Sequence, residues 1–546
     1  MPAVSVVVIC FNDAQHLGTA VRSATTQTLR DLEVVIVDDG SDDETPTVAA
    51  ALAAADERVR YHRLETNSGG CSRPRNVGMS LVTGDYVTFL DSDDALPRPA
   101  CSRLLRAARR TDADIVCGRW VRRHHRPTRY IEAHRRLYAR AAVVDGIAER
   151  PEQLFDTPAP AKLYRRRFLT DNDLSFPEGL LYEDLLFTTA AYVSARRIAV
   201  VPDLVYVWNV RRDADIPSIT NRTELRNWQD RFEVHRRIDA HLARVDVPAA
   251  VVRAKQVKFL SADFTVFLRD LRGRRTDDRQ ALLDLAQKYL TGIDERSWPV
   301  EPVGPRVAAV LAARGDLPGV LAAADFAVTG GLASDLTVEG GDRLRWTSAH
   351  PDAGDALDVT ATGVLSAAFA ATPFLATVDH ARWEGDSLFC DGRVYDVLGR
   401  LGPAQSLAGR ILVRGRLGGV LWSGPLLLTD AGADVRFSGR LDLVALGKAL
   451  GRPTVGHELR LLVELQRDGE RVVRPLTGRD ADLPPGDHPL PTPWRRLVGD
   501  RVRIAEVNGR LVLQLTALPQ ITDRAIAAGS WARYAAQQTA ARLHRP

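Results

Sequence analysis

The amino-acid sequence predicts an α/β domain with a parallel sheet, followed by a helical region and a C-terminal β-sandwich. Three observations support this prediction. Short Val- and Ile-rich runs alternate with helical stretches near the N-terminus, helical periodicity dominates residues 221–327, and short β-prone runs between Gly, Pro and Asp turns follow. We place the domains at residues 1–220, 221–327, 328–480 and 481–546, and the last of these holds a hairpin and a basic helix.

In the α/β domain, strands and helices alternate along the chain. The predicted strands are residues 4–9, 32–37, 86–90 and 113–117, and the helices are residues 15–26, 45–55, 74–82 and 100–110. Strands separated by helices form parallel sheets with right-handed crossovers, and ligands bind where such strands end. The side chains at three of these ends are Phe11 and Asn12, Asp38 and Asp39, and Asp91 to Asp94.

The remainder of the chain changes character twice. Helices are predicted at residues 225–242, 254–271, 279–290 and 306–324. The β-prone runs after residue 328, among them 336–338, 356–361, 410–413 and 459–465, predict a sandwich of the immunoglobulin-like kind. Residues 480–493 have the composition of a linker. A hairpin is predicted for 501–507 and 511–515, because Asn508-Gly509 suits a tight turn.

Composition bounds the class of protein. A chain of 546 residues with 45% hydrophobic and 26% charged residues is an ordinary globular protein of several domains. Only five of its 73 basic residues are Lys, so the Arg excess reflects genomic composition rather than nucleic-acid binding. No secretion signal and no apolar stretch of about 18 residues is found. Five scattered Cys argue against disulfides and zinc, and we expect a cytoplasmic protein.

The run Asp91-Ser92-Asp93-Asp94 carries the strongest chemical signal. Two carboxylates at positions i and i+2, on a turn after a buried strand, converge on one point and repel each other unless a cation lies between them. Mg²⁺ and Mn²⁺ favour carboxylate and phosphate oxygens together, and such a metal helps a diphosphate to leave. The alternative is an Asp-rich turn without a ligand, since Asp and Ser favour turns.

For other polar residues, too, the sequence allows both a functional and a purely structural interpretation. Asp39 is placed to accept hydrogen bonds from a base or ribose, or else to belong to a turn. The first strand is followed by Cys10-Phe11-Asn12 rather than a GxGxxG sequence, which counts against a nicotinamide enzyme. Basic residues cluster between 119 and 129, as a solvated face or as a surface that attracts an anionic polymer.

Four segments together resemble the GT-A fold inverting glycosyltransferases of family 2. They are VSVVVICFN, VVIVDDGSDD, NSGGCSRPRNVGMSLVTGDYVTFLDSDD and LLYEDLLF, in matching order over about residues 1–220. Residues 64–77 and 162–178 are most similar to the wall teichoic acid enzymes of that family, which transfer N-acetylglucosamine from UDP to poly(ribitol phosphate). The resemblance implies a Rossmann-like GT-A catalytic domain, and it is weak after about residue 210.

The resemblance implies a role for each matching residue at the donor side. Asp39 hydrogen-bonds uracil, Phe11 stacks on it, and Arg75 approaches the diphosphate or the sugar. Asp91 and Asp93 match the metal-binding motif for Mn²⁺ or Mg²⁺. The donor-binding set implied in this way is Phe11, Asn12, Asp39, Arg75, Asp91 and Ser92.

The resemblance also implies an acceptor side. Glu183-Asp184 matches the acidic pair of the family, and we assign Asp184 as the base and Glu183 as the residue that orients the acceptor. The alternative for both is a solvated helix start, because acids favour a helix N-terminus. Lys162, Arg126 and Ser218 are the expected acceptor contacts, although Lys162 could equally be a surface Lys. The family members compared have a His near Asp215, and this chain has none.

The expected partners follow from this reading. They are a UDP-sugar donor, an anionic cell-wall polymer as acceptor and further copies of the chain, with a trimer favoured, and peripheral contact with the inner face of the cell membrane is compatible with them. One alternative is transfer to another surface polysaccharide, such as a capsule or galactan. A second alternative is a polymer-binding scaffold with a degenerate catalytic domain. Retention of Asp39, Asp91, Asp93 and Asp184 together speaks against the scaffold.

Overall fold

The computed structural model describes residues 1–125, 128–210, 224–299, 301–332, 336–347, 349–415, 418–450, 458–478, 481–491, 500–507 and 509–517. Two compact units make up the chain, Met1–Phe259 and Leu260–Pro546. The expected acceptor contacts Arg126 and Ser218 lie outside the described residues, as do Asn508 of the hairpin turn, parts of the expected linker and the expected basic helix.

One sheet forms the centre of the first unit. Its described strands are β1 (Val4–Cys10), β2 (Leu32–Asp38), β3 (Val59–Arg63), β4 (Tyr86–Asp91), β5 (Ile115–His125), β6 (Thr128–Glu132), β7 (Ala142–Val144), β8 (Lys162–Arg165) and β9 (Ile198–Val210). Their order is β3-β2-β1-β4-β8-β5-β9-β7, with β6 beside β5. The first four strands in this order are parallel, as the alternation of strands and helices predicted. The sequence did not predict β3, because its residues after Val59 are polar and mostly exposed.

The strand register determines which residues meet at the edge of the sheet. Ile9 of β1 lies opposite both Val37 of β2 and Asp91 of β4. Every residue of β1 and β2 is buried, and the large apolar side chains of these strands exclude water from both faces of the sheet. The polar residues that follow β1, β2 and β4 therefore emerge side by side at one edge.

Helices cover the sheet of the first unit. They are α1 (Ala14–Thr25), α2 (Thr45–Ala55), α3 (Ser72–Leu81), α4 (Ala100–Thr111), α5 (Arg166–Asp171), α6 (Glu183–Ser194), α7 (Leu225–Arg244) and α8 (Ala249–Lys258). A small aromatic cluster joins α6 to β4, since Phe89 meets Phe176 and Phe187 edge to face while Phe176 and Phe187 stack at 3.9 Å between ring centroids. This packing holds the start of α6 near the end of β4.

The second unit combines helices with β structure. Its helices are α9 (Thr265–Gly273), α10 (Thr276–Leu290), α11 (Val303–Ala313), α12 (Leu317–Thr329) and α13 (Leu443–Leu450). Helical structure over 254–271 was expected to be continuous, but a π-helical turn at Phe259–Phe264 separates α8 from α9. The predicted strand at 356–361 is wrong, because 3₁₀ turns occupy Pro351–Leu357 and Thr360–Thr362 and Asp358 accepts a hydrogen bond from the Thr360 amide.

The predicted C-terminal β-rich region is confirmed. A two-stranded sheet contains β10 (Leu336–Glu339) and β11 (Arg343–Trp346). A larger sheet contains β12 (Leu375–Glu384), β13 (Ser387–Tyr395), β14 (Ala408–Arg414), β15 (Val420–Ala431), β16 (Asp434–Asp442), β17 (Glu458–Arg467), β18 (Glu470–Thr477), β19 (His488–Pro489), β20 (Asp500–Val507) and β21 (Arg510–Ala517). Instead of forming two separate sheets, its strands close on themselves, because β14 pairs with both β15 and β17.

Buried ion pairs connect the helical and β parts of the second unit. Arg272 of α9 is fully buried and donates to Asp325 of α12 and to Glu506 of β20. Leu513 of β21 and Leu461 of β17 belong to the apolar core of the β-rich region. None of the helices among the described residues is long and apolar enough to cross a membrane.

Candidate active site

Arg75 is the centre of a buried charged cluster at the carboxyl edge of the sheet. Its Nη1 donates to Oε1 of Glu183 and to Oδ1 of Asp184, each at 2.7 Å, and its Nη2 donates to Oδ1 of Asp91 at 2.9 Å. The guanidinium also lies 5.3 Å from the ring centroid of Phe176. Burial of one cation is tolerated only when carboxylates surround it. Arg75 therefore ties the end of β4 to the start of α6.

The acidic pair at the start of α6 is partly buried but still reachable. The side chain of Asp184 is 22% exposed, and its second oxygen, Oδ2, accepts from the Ala159 amide at 3.0 Å. Burial raises the pKa of Asp184 above its ordinary value, although Arg75 opposes the shift. Burial, with the neighbouring Asp184, also raises the pKa of Glu183 to about 7. A carboxylate with a raised pKa is a stronger proton acceptor once it is ionised.

The acidic run after β4 divides into different environments. Asp91 is paired with Arg75, and its side chain is 33% exposed. Asp94 is buried and accepts from the Tyr206 hydroxyl at 2.6 Å and from the Asn209 amide at 2.7 Å. Burial and the neighbouring Asp93 and Asp91 raise the pKa of Asp94 well above its ordinary value. Asp94 thus anchors the turn to β9, together with the Asn209 side chain, which donates to the carbonyl of Asp93.

The residues after β1 and β2 form a second part of the same edge. Asp39 is buried, and its carboxylate accepts from the amide and the hydroxyl of Ser68 at 3.1 Å and 2.9 Å. Burial raises the pKa of Asp39. Phe11 leaves 43% of its surface exposed, and Asn12 exchanges two hydrogen bonds with Asp42. The exposed ring therefore lies one residue beyond a fully buried strand.

A cleft of about 290 Å³ opens beside these residues. One wall is the loop 67–73, which includes the Ser68 that binds Asp39, and the other wall is the segment 178–181 together with Arg226. Gly40 makes the close approach of this loop possible, because a Cβ there would lie 2.7 Å from the Asn67 backbone nitrogen and its φ is +76°. The arrangement leaves a concave space next to the expected nucleotide contacts.

Of the other predicted site residues, Ser92 lies at the same edge of the sheet as Asp91, whereas Lys162 is not at an exposed acceptor site. Ser92 donates its hydroxyl to Oδ2 of Asp13 at 2.7 Å, at the same edge as Asp91. Lys162, an expected acceptor contact, is fully buried and pairs with Asp156 at 2.8 Å. This internal partner accounts for Lys162, because a side chain without solvent exposure offers no surface to an acceptor. Sequence reasoning missed Asp156, Ser68 and the Ala159 amide, since their contacts join distant segments.

The carboxylates at this edge provide oxygen ligands of the kind that Mg²⁺ and Mn²⁺ prefer. Among the described residues, no group of three or more His, Cys, Asp and Glu side chains is arranged as a complete metal site. Asp91 commits one oxygen to Arg75 and leaves the other for a ligand. Asp91 therefore fits only part of a coordination sphere, and a bound diphosphate would have to supply further oxygen ligands.

Comparison with known proteins agrees with this geometry. Residues 5–172 match the family model described as Glycosyl transferase family 2. The chain is 30% identical over 271 residues to the poly(ribitol-phosphate) beta-N-acetylglucosaminyltransferase TarS of Staphylococcus aureus, a match that covers 48% of this chain and 44% of TarS. It is 28% identical over 210 residues to TarP of the same species, which covers 38% of this chain and 62% of TarP. The chain thus spans less than half the length of the first of these relatives.

Solved structures show the same fold. The crystal structure of S. aureus TarS aligns with a TM-score of 0.54 and 18% identity over 96% of this chain and 86% of that chain. TarS 1–349 in complex with UDP-GlcNAc aligns with a TM-score of 0.54 and 22% identity over 64% of this chain and 97% of that chain. The GT-A fold, the helical region and the β-rich C-terminal part are thereby confirmed. Within this fold, residues 5–172 are the part of the chain that matches the Glycosyl transferase family 2 model.

Proposed function

We propose that this chain transfers N-acetylglucosamine from a UDP donor to a hydroxyl of poly(ribitol phosphate), with inversion at the anomeric carbon. The observation that carries the proposal is the cluster in which Arg75 joins Asp91 to Glu183 and Asp184. The cluster supports the proposal because it holds two carboxylates close to the end of β4, where the diphosphate of a donor is expected. The names of TarS and TarP describe enzymes that act on poly(ribitol phosphate), which supports this choice of acceptor.

In this proposal the donor binds along the edge from β2 to β4. Asp39 accepts a hydrogen bond from the uracil, while the exposed ring of Phe11 stacks on its face. Asn12 and Ser92 complete the polar rim, and Arg75 offers its positive charge to the diphosphate side of the sugar. The contact of Asp39 with Ser68 fixes its carboxylate before the donor arrives. Donor binding therefore needs little rearrangement of these residues.

Transfer is a single displacement. An acceptor hydroxyl forms a new bond to the anomeric carbon as the bond from that carbon to the UDP oxygen breaks on the opposite face. The hydroxyl proton passes to Asp184, which is partly exposed and aligned by two hydrogen bonds. Glu183 shares the same Arg75 nitrogen and orients the acceptor. UDP leaves with the electron pair of the broken bond.

A divalent cation, Mn²⁺ or Mg²⁺, belongs to the proposal as well. Asp91 and Asp93 would hold it, and when bound it offsets the negative charge that develops on the departing diphosphate. Asp94 keeps the turn in place through Tyr206 and Asn209. Assembly into a homo-oligomer, with a trimer favoured, and a peripheral position at the inner face of the cell membrane remain part of the proposal.

The purified chain tests the transfer directly. We would incubate it with several UDP-sugars and with poly(ribitol phosphate) or other surface polysaccharides, and detect the product by mass spectrometry. Asp184→Asn should bind UDP-GlcNAc normally but reduce kcat by at least about 10²-fold, the usual scale for loss of a general base. Asp171→Asn, an exposed Asp of α5, is the matched control. Full activity of Asp184→Asn would contradict the assignment, and transfer only to another polysaccharide would contradict the acceptor.

The cation is tested in the same assay. Chelation should abolish transfer, and added Mn²⁺ or Mg²⁺ should restore it. Asp93→Asn keeps the size of the side chain but removes one negative charge, so the concentration of metal that gives half-maximal activity should rise. Undiminished turnover of the wild-type chain in excess chelator would show that no cation is needed.

A further inference from the structure

We propose that the buried ion pair of Lys162 and Asp156 positions the proton acceptor Asp184. Both side chains of the pair are without solvent exposure, and their charged groups are 2.8 Å apart. They lie at the two ends of the segment 156–162, which connects a 3₁₀ turn, Pro151–Phe155, to β8. The amide of Ala159, in the middle of this segment, donates to Oδ2 of Asp184.

Side chains hold four consecutive carbonyl groups of the segment. Lys162 donates to the carbonyl of Pro158 as well as to Asp156. The other three carbonyls accept hydroxyl groups: Asp156 O from Tyr192 at 3.2 Å, Thr157 O from Thr188 at 3.1 Å, and Ala159 O from Tyr164 at 3.1 Å. A backbone bound at every step has little freedom to rotate. The direction of the Ala159 amide is therefore fixed by these bonds.

The Asp156 carboxylate is the hub of this arrangement. It accepts from the Trp120 indole at 3.0 Å and from the Tyr138 hydroxyl, and it shares the single hydroxyl hydrogen of Tyr192, at 3.3 Å, with the Asp156 carbonyl. Although burial opposes ionisation, Lys162 holds the pKa of Asp156 below its ordinary value. Tyr192 and Thr188 belong to α6, the helix that begins with Glu183 and Asp184. The network thus ties the segment to the same helix that carries the proposed base.

The consequence for Asp184 is geometric. Its two oxygens are held from two sides, by Arg75 at Oδ1 and by the Ala159 amide at Oδ2. If the Ala159 amide turns away, the carboxylate is held by Arg75 alone and can rotate about its Cβ–Cγ bond. Misplacement of a reacting group by about 1 Å can lower a rate by about 10²-fold. Lys162 and Asp156 therefore act through Asp184 and do not touch the substrates.

This inference rests on the proposed function, and three variants of the full-length chain test it. Lys162→Met removes the cation. The double variant Lys162→Met/Asp156→Asn also removes the carboxylate that would otherwise be left buried and unpaired, which is strongly destabilising. Tyr192→Phe removes only one hydroxyl, so it keeps the test valid if the other variants fail to fold. Lys288→Met, at an exposed Lys in the second unit, is the matched control.

Two readouts separate positioning from a loss of folded protein. In folded variants we expect kcat to fall at least about tenfold, in line with misplacement of a reacting group, while the Kd for UDP-GlcNAc stays within a factor of about two. Amide hydrogen exchange, which needs no activity, should show lost protection in the segment 156–162 and unchanged protection in β1. Circular dichroism and thermal melting confirm that each variant is folded.

The outcomes are distinct. Folded variants with wild-type kcat, or with an Ala159 amide as protected as in the wild type, would overturn the positioning role. A fall in kcat that is matched by the same fall in the folded fraction would overturn it too. Failure of the wild-type chain to transfer any sugar would count against the proposed function, while the exchange measurement would still decide whether Lys162 and Asp156 hold the segment.

Discussion

At the residue scale, the balance of charge around Arg75 determines how the site works. One guanidinium contacts the carboxylates of Asp91, Glu183 and Asp184, so three ionised acids would leave a net negative charge in a partly buried place. Burial is the main reason why the pKa values of Glu183 and Asp184 are raised, and the neighbouring carboxylates add to the shift because protonation removes excess negative charge. A bound cation would relieve the same excess.

A pH dependence follows from Glu183. Because its pKa is raised to about 7, the carboxyl is protonated below that pH, and we expect kcat/KM to fall as the pH drops through about 7. Glu183→Gln cannot titrate, so the acidic limb should move to lower pH and report Asp184, whose pKa is also raised. The measurement is kcat/KM against pH for both proteins. An unmoved limb in Glu183→Gln would assign the titration to another group.

Phe11 provides a second test at this scale. Its ring is 43% exposed, so truncation to Ala should change the free energy of unfolding little. Loss of stacking on a base costs about 1–3 kcal/mol, and we therefore expect the Kd for UDP to rise by roughly tenfold or more with kcat nearly unchanged. Calorimetric titration measures the affinity. The control is Val143→Ala in β7, because Val143 is also an exposed apolar residue, and it should leave the Kd for UDP unaltered. An equal rise of the Kd in Phe11→Ala and Val143→Ala would refute the stacking role of Phe11.

At the element scale, the close contact of α3 with β1 holds Arg75 in place. Gly78 of α3 faces Val7 of β1, and a Cβ at Gly78 would lie 2.3 Å from Cγ1 of Val7. No larger residue fits there without displacement of the helix or the strand. Arg75 lies one turn earlier on the same helix, so the depth of α3 on the sheet sets the distance from Arg75 to Asp91.

Gly78→Ala should therefore be destabilising. Overpacking of a tight core contact costs typically about 1–3 kcal/mol, and the displaced helix should also weaken the contact of Arg75 with Asp91. Chemical denaturation gives the free energy of unfolding, and the transfer assay gives kcat. The matched control is Gly18→Ala in α1, where a Cβ meets only Arg22 at 3.4 Å and where Ala should stabilise the helix by about 0.5–1 kcal/mol. Equal stability of both variants would refute the packing argument.

At the scale of the whole molecule, the described site residues all belong to the first compact unit. Arg75, Asp91, Glu183 and Asp184 precede Phe259, where that unit ends. The helices after α8 belong to the second unit with the β-rich region, and the buried contacts of Arg272 with Asp325 and Glu506 explain why they fold together. We therefore expect the chemistry to depend on side chains of the first unit.

We expect the second unit to hold copies of the chain together or to retain long acceptors. A chain ending at Phe259 should keep donor binding and transfer to short acceptors, but lose the oligomeric state and the preference for long polymers, because tethering raises the effective concentration of a polymer. Light scattering and assays with acceptors of two lengths measure these properties. Residues 260–546 expressed alone are the complement and should retain the oligomeric state. A shortened chain that kept both the oligomeric state and the preference for long polymers would contradict the role expected for the second unit.

The sequence alone determined the fold class and the residues at the strand ends. The burial of β1 and β2 follows from their Val and Ile content, and the parallel register then brings Phe11, Asp39 and Asp91 to one edge whatever the rest of the chain does. The motifs around these residues also indicated a glycosyl transferase family 2 domain, in agreement with the family model that residues 5–172 match. These features can be predicted from the sequence because each depends on residues that are close together in the chain.

Only the tertiary structure decided how distant side chains are paired. Lys162 was expected at the acceptor, yet its partner is Asp156, and the amide that holds Asp184 comes from Ala159, a residue whose side chain has no polar group. The sequence also did not predict the 3₁₀ turns within 351–362 or the pairing of β14 with β17. The physical reason is common to all of them. Backbone hydrogen bonds and buried ion pairs form wherever the fold brings a donor and an acceptor together. The residue types alone do not show which donor and which acceptor, far apart in the sequence, will be close in space.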